Sequence, residues 1–278
     1  SRGLGDVYKR QYSYSDNDTM LYALGVGFGR DPLNRDELEF VYEKNLKTIP
    51  SMATVIAWGA GHMRDSGINY LMVVHGEQRL KIYEPLPIAA DILVDSRVTH
   101  VIDKGADKGA LLVTEVDIKE KQTGKLLCTL GGTTFARGDG GFGGPKDGSP
   151  EPHQIPDRKP DIVSELDTTP DQALLYRLSG DRNPLHSDLD VAEAAGFPRP
   201  ILHGLCSYGT ACRSIIKEVC KYDSSLITQF DVRFSSPVFP GEKISTEIWI
   251  DGKDVSFRSW VKERNVMVIN NGKCVLKD

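Results

Sequence analysis

The 278-residue sequence has no apolar run long enough to cross a bilayer as a helix; stretches such as Leu111 to Thr114 and Met267 to Ile269 fall far short of the roughly 18 residues required. It lacks a basic surplus as well. The net charge of −5 and the absence of a Lys/Arg stripe interleaved with aromatics argue against a nucleic-acid partner, although local basic residues can still hold one phosphorylated ligand. Cysteine is sparse and odd in number: Cys128, Cys206, Cys212, Cys220 and Cys274 show no paired spacing, so a disulfide framework is not expected and a reducing compartment fits. Cys212 and Cys220 fall in a helical pattern, where a small buried hydrophobe is the expected role rather than a reactive thiol. The six histidines, His62, His75, His100, His153, His186 and His203, make no i, i+4 pair and no Cys/His cluster, so no metal is expected.

What is present is globular. The apolar fraction is 40%, or about 46% with glycine counted and tyrosine left out, and the length suits two packed units. Residues 1–11 show no apolar periodicity, read as a non-native extension and are left out of the fold reasoning. The C-terminal Val275-Leu-Lys-Asp278 carries no Ser-Lys-Leu-like peroxisomal signal, so any address is expected elsewhere, or in a longer parent chain.

The stretch from Gly138 to Pro160, GDGGFGGPKDGSPEPHQIPDRKP, is rich in Gly, Pro and charge. It predicts units over residues 12–144 and 161–278 joined by a linker over 145–160. Punctuation repeats on either side. Tyr22-Ala-Leu-Gly25 matches Tyr176-Arg-Leu-Ser-Gly180, each followed by an Asp-containing loop with Pro32 or Pro184; Pro50 or Pro200 then opens a helix-like run. Arg79-Leu80 with Pro85-Leu-Pro87 matches Arg233-Phe234 with Pro237-Val-Phe-Pro240.

Strands are expected at Ile92 to Val101, Leu111 to Ile118 and Leu126 to Ala136, split by Lys108-Gly109 and Thr123-Gly124. In the second half they are expected at Lys243 to Ile250, Asp254 to Glu263 and Asn265 to Ile269, with tight turns at Asp251-Gly252 and Asn271-Gly272. From Gly204 to Tyr222, Leu205, Tyr208, Cys212, Ile215, Ile216 and Val219 recur at helical spacing, which predicts a helix with one face on a sheet. The fold class is therefore α+β: two fused hot-dog units, each a long helix wrapped by an antiparallel sheet.

The segment Tyr176-Arg-Leu-Ser-Gly-Asp-Arg-Asn-Pro-Leu-His-Ser-Asp188 concentrates the chemistry. Pro184 biases Asn183 towards extended backbone, so Asp181, Asn183 and His186 project from one irregular loop. A carboxylate and an imidazole together can take a proton from water and supply one to a carbon. The alternative is that Asp181 and Asn183 only close a turn while His186 caps the next helix. In Arg199-Pro-Ile-Leu-His-Gly204, the Gly204 N–H at a helix start can receive a developing oxyanion, or the glycine can simply begin a closely packed helix.

The strings Asp-Arg-Asn-Pro-Leu-His and Pro-Ile-Leu-His-Gly-Leu resemble the signature of the MaoC-like hydratase 2 family, as found in the hydratase domain of peroxisomal multifunctional enzyme type 2. The resemblance runs from Tyr12 onwards and takes in Tyr22-Ala-Leu-Gly-Val-Gly27, His75-Gly-Glu-Gln78, Pro85-Leu-Pro87 and Gly140-Gly-Phe-Gly-Gly144. It implies two fused hot-dog units with the active site in the second, and reversible hydration of trans-2-enoyl-CoA to (3R)-3-hydroxyacyl-CoA in fatty-acid β-oxidation. It also implies that Asp181 and His186 form the catalytic pair, that Asn183 helps hold water and substrate, and that Gly204 supplies the oxyanion amide. His75, Gly76, Lys104, Arg182, Pro184, Leu185 and Phe234 would lie against the CoA or acyl portion. Lys104 suits a phosphate by its compact charge, and a solvated turn lysine is the competing reading. No cofactor is required beyond the CoA of the substrate. The same resemblance implies a homodimer and a peroxisomal location, with a cytoplasmic location as the alternative, and the missing tripeptide points to membership of a longer multifunctional chain.

The first half carries Gly29-Arg-Asp-Pro-Leu-Asn34 where the second has Asp-Arg-Asn-Pro-Leu-His, and Pro50-Ser-Met-Ala53 replaces Pro-Ile-Leu-His-Gly. A degenerate half that accommodates the acyl tail, and hence acceptance of long or bulky chains, is expected. Gly138-Asp-Gly-Gly-Phe-Gly143 fits a dinucleotide fingerprint literally but precedes Pro145 rather than a helix, so nucleotide binding there is not expected. Two rival functions remain: a hot-dog acyl-CoA thioesterase, and a non-catalytic acyl-CoA-binding or docking module.

Overall fold

The computed structural model describes residues 8–59, 67–69 and 72–278; His62 lies outside them, as do residues 1–7. Ten strands are described: β1 (Tyr8–Tyr14), β2 (Val73–Ile82), β3 (Ala90–Asp103), β4 (Ala110–Glu120), β5 (Leu126–Ala136), β6 (Ile162–Asp167), β7 (Ile227–Phe234), β8 (Lys243–Asp251), β9 (Asp254–Val261) and β10 (Val266–Leu276). They form one antiparallel sheet in the order β1-β3-β4-β5-β2-β7-β10-β9-β8-β6. The order reads the same from both edges, since each half contributes five strands of equivalent connectivity. The halves join where β2 pairs with β7, with Glu77 opposite Arg233 and Gln78 opposite Val232. A local twofold through the Gln78–Val232 pair relates Arg79 to Arg233, the equivalence that the sequence repeat suggests. Both arginines grip the nearly buried Glu77 carboxylate, each at 2.7 Å.

Strand positions follow the sequence closely where β-branched residues are dense and turns are marked. Gly109 and Gly124 sit at φ +72° and +70° in the β3–β4 and β4–β5 turns, and Gly252 at +65° in the β8–β9 turn. Asn271-Gly272 behaves differently from the tight turn expected of it. It lies inside β10, where the register against both β7 and β9 shifts, so it forms a bulge with Asn271 at φ +53°. Residues 8–11, set aside in the sequence reading, run continuously with β1 and pair with Ser96 to Leu93 of β3.

The helices are α1 (Asp16–Gly25), α2 (Arg35–Leu38), α3 (Gln172–Tyr176), α4 (Leu189–Ala194) and α5 (Gly204–Glu218). The expectation of a long helix in each half holds only for the second half among the described residues. In the first half Pro50 opens a five-residue 3-10 turn, Pro50–Thr54, which is buried throughout and packs on α5. That covering segment also changes α5 itself. One buried face was expected, yet every residue from Leu205 to Ile216 is buried, including Ser207, Thr210, Arg213 and Ser214, because first-half elements close over its outer side. The Arg213 charge is met there by Glu37 of α2 at 2.7 Å. Tyr22 and Tyr176, the matched residues of the repeat, meet with ring centroids 6.0 Å apart where α1 packs on α3.

Between β5 and β6 the chain forms neither helix nor strand but is tied down. The Pro145 carbonyl accepts from the Asp103 amide at 2.7 Å, His153 bonds Ser256 at 2.7 Å, and the Trp249 indole donates to the Arg158 carbonyl at 2.8 Å. The glycine fingerprint has no helix after it. The Gly141 and Gly143 amides both donate to the Asp103 carboxylate at 2.7 Å, as does Gly105 at 2.8 Å. These amides, Gly141 foremost, hold the Asp103 carboxyl below the ordinary carboxylate range. The loop thus binds a carboxylate of its own chain rather than a pyrophosphate.

Candidate active site

The segment after α3 runs through a 3-10 turn, Arg177–Ser179, to Gly180, whose φ of +141° few other residues adopt. A side chain at this position would also strike Trp58 of the first half, 2.8 Å from where a Cβ would lie. Glycine therefore lets the loop that carries Asp181 and His186 pass beneath the first half. Asn183 is extended (φ −55°, ψ +123°), as the following proline requires, and a short 3-10 turn over Pro184–His186 carries His186 inward.

Part of the bland reading is correct. The Asp181 carboxylate accepts the Asn183 amide at 3.1 Å and the Asn183 carbonyl accepts the Leu185 amide at 3.0 Å, so both side chains do close turns. His186 caps nothing: Asp188 caps α4 by accepting from Asp190 and Val191. The His186 ring is buried, and its Nδ1 lies 2.8 Å from the Ile201 carbonyl. A carbonyl can only accept, so Nδ1 carries the proton and Nε2 keeps its lone pair free. Burial pushes the imidazole below the ordinary histidine range, against the opposing pulls of the Ile201 carbonyl and Asp181.

The residue that sequence reasoning left without a role is His203, the N-cap of α5. Its Nε2–H donates to the Asp181 backbone carbonyl at 3.0 Å, and its ring stacks on His186 with centroids 3.7 Å apart at 28°. Burial, then the neighbouring His186, pushes it down to about 3. Its position next to Gly204 was the one available signal. Gly204 opens α5, and its amide donates to no backbone acceptor among the described residues. It points its open side at Phe234, whose ring is 3.4 Å from where a Cβ would stand.

Asp181, His186 and His203 bring one potential ligand atom each within 4.8 Å of the others, a cluster that histidine spacing could not reveal because the third member lies 17 residues beyond the second. The geometry suits a metal poorly. His186 Nδ1 and His203 Nε2 are already spent on carbonyls, which leaves each ring a single nitrogen for any ion.

Asp181, Asn183, Leu185, His186 and Gly204 all line a cleft of about 1440 Å³. His75, Gly76, Lys104 and Phe234 line it too. A register shift in β2 between His75 and Glu77 turns His75 and Gly76 into the cleft, where the His75 ring lies 5.0 Å from Phe234. Arg182 and Pro184, also expected against the ligand, are exposed and do not line the cleft, because the 3-10 turn directs them away from it. The first half contributes Thr54, Trp58, Leu111, Val116, Leu130 and Phe135 to the wall. All five cysteines are free and buried, and burial pushes Cys128, Cys206, Cys212 and Cys220 up to about 12 and Cys274 well up, which disfavours the thiolate in each.

The fused double hot-dog fold sets the class, and comparison with known proteins gives the family. The MFE-2 hydratase 2 N-terminal domain matches residues 12–138 and the MaoC like domain matches residues 152–272. A protein named peroxisomal enoyl-CoA hydratase 2 from Arabidopsis thaliana is 42% identical over 281 residues, covering 93% of this chain and 89% of the relative. The crystal structure of a MaoC-like dehydratase from Phytophthora capsici superposes with a TM-score of 0.88 at 32% identity, covering 98% of this chain and 95% of that one. Full-length peroxisomal multifunctional enzyme type 2 from Drosophila melanogaster superposes at 0.86 with 34% identity, covering 98% of this chain and 49% of the larger one. The chain belongs to the MaoC-like hydratase 2 family.

Proposed function

We propose that the chain catalyses the reversible hydration of trans-2-enoyl-CoA to (3R)-3-hydroxyacyl-CoA in fatty-acid β-oxidation. One observation carries the chemistry: His186, its Nδ1 tied to the Ile201 carbonyl, stands beside Asp181 in a large cleft, next to the unspent amide of Gly204. The thioester carbonyl lodged against that amide would withdraw electrons from the double bond. Water held by Asp181, Asn183 and His186 then gives its oxygen to C3, while the pair takes up one proton and returns one to C2. The balance closes with no cofactor.

The R stereochemistry and the placement in β-oxidation rest on family membership and on relatives named enoyl-CoA hydratase 2 and peroxisomal multifunctional enzyme type 2. The same names support a peroxisomal setting. A homodimer belongs to this reading, and light scattering of the purified protein reads it directly. The apolar first-half wall of the cleft is proposed to take the acyl tail, with His75, Lys104 and Phe234 against the CoA end.

The test is loss of enoyl-thioester absorbance with trans-2-decenoyl-CoA followed by chiral analysis of the product. Asp181→Asn and His186→Ala are each expected to lower kcat by about 10²–10⁴-fold with folding retained. Release of free CoA without hydration would make the protein a thioesterase, and tight binding with neither product would make it a docking module.

A further inference from the structure

We propose that His203 is a positioning residue for the hydration step: it braces Asp181 and His186 against each other and against the first turn of α5. The inference rests on the hydratase reading and extends it to a side chain with no assigned part in the chemistry.

The geometry leaves His203 little freedom. The residue is 1% exposed, so it is not available to a ligand as ordinary cleft lining. As N-cap of α5 it would normally cap with its own side chain, yet no side-chain cap bond forms. The ring turns instead into the catalytic loop, where Nε2–H binds the main-chain carbonyl of Asp181. One face of the ring carries His186, and the Tyr176 ring stands 5.0 Å away at 51°. His186 is consequently fixed twice, by the Ile201 carbonyl at Nδ1 and by the imidazole stacked on it. Asp181 is fixed through its backbone, which leaves its carboxylate to the Asn183 amide and the cleft. Because His203 directly precedes Gly204, one residue links the acid–base pair to the amide proposed to receive the thioester oxygen. A displacement of about 1 Å at such a pair can cost about 100-fold in rate.

The brace also adds to the burial that lowers the basicity of His186. A stacked neutral imidazole excludes water from one ring face, and His203 Nδ1, buried without a partner, offers no place for a second charge. The other titratable groups around the stack are Tyr176 and Arg177 from α3 and the turn after it, Asp181 from the loop, Tyr22 from α1 and Cys206 from α5. Of these, Asp181 favours the charged His186 and is outweighed by burial.

Two substitutions separate the two contacts. His203→Gln keeps a donor for the Asp181 carbonyl and removes the stack, whereas His203→Phe keeps the stack and removes the donor. With circular dichroism matching wild type, both are expected to lower kcat by about tenfold or more and to leave KM within about threefold. The His186 ring, followed by NMR titration, is expected to protonate at higher pH in His203→Gln, with the acid limb of the kcat profile moving up, and to titrate as in wild type in His203→Phe. If kcat and the His186 titration match wild type in both variants, or if only the melting temperature falls, His203 is packing and the proposal fails. A wild type that does not hydrate enoyl-CoA would overturn the hydratase reading, while the His186 titrations would still decide whether the brace exists.

Discussion

Asp181 and Asn183 each spend one side-chain acceptor on a loop amide and keep the rest of their polar surface for the cleft, as the proposed chemistry requires. His186 and His203 are different: their burial has a thermodynamic consequence that activity assays do not see. His203 protonates near 6.5 in the unfolded chain and at about 3 when folded. Between those values the unfolded state binds a proton that the folded state refuses, so this residue's contribution to stability is intact above about pH 6.5. It declines as pH falls, by about 1.4 kcal/mol per pH unit. His186 is depressed in the same direction and adds to the loss. Urea midpoints at pH 7.0, 5.5 and 4.5 check this: the decline is expected to be shallower in His203→Phe, and an equal slope would mean that His203 is not held neutral by the fold.

At the scale of the element, the start of α5 can be tested for an oxyanion role without dismantling the helix. Gly204 is the first helical residue, the position at which proline is best tolerated, and His203 already has the extended backbone (φ −55°, ψ +134°) that a following proline demands. Gly204→Pro is therefore expected to fold while removing the one N–H in question, lowering kcat by about 10²–10³-fold. Gly204→Ala keeps that N–H, and its Cβ would make ordinary contact with Phe234, so its kcat is expected within about threefold of wild type. Equal activity of the alanine and proline variants would remove Gly204 from the mechanism.

On the scale of the whole molecule the first half acts as a cover. Its 3-10 turn over Pro50–Thr54 and its α2 close over α5, and the Glu37–Arg213 pair crosses between halves in an almost dry setting. Breaking such a pair strands a charge. Glu37→Gln and Arg213→Met are each expected to cost about 3 kcal/mol or more in urea unfolding, and the double variant less than the two together. Additive losses would show that the two charges do not depend on each other. The Gly29-to-Asn34 string, counterpart of the Asp181–His186 loop, serves assembly: Arg30 binds the Asp167 carbonyl and the Gln172 side chain, and Asn34 caps α2.

Local patterning by itself determined much of this protein. β-branched runs between marked turns located six of the ten described strands, periodic apolar residues located α5, and the Asp-Arg-Asn-Pro-Leu-His and Leu-His-Gly strings located the loop and helix start that lie side by side in the cleft. These features depend on neighbours a few residues apart, so a linear reading reaches them. The tertiary structure alone decided the rest. Strands β1, β2, β6 and β7 were not read because their main support is pairing with distant partners, β2 with β7 above all. Among the described residues, the first-half helix expected from symmetry is a short 3-10 turn, Pro50–Thr54, buried against α5. Asn271-Gly272 is a bulge rather than a turn because β10 continues between two partners. His203 gained a candidate role only when folding stacked it on His186, for burial, ring stacking and a bond to a main-chain carbonyl are relations between segments that no single segment encodes.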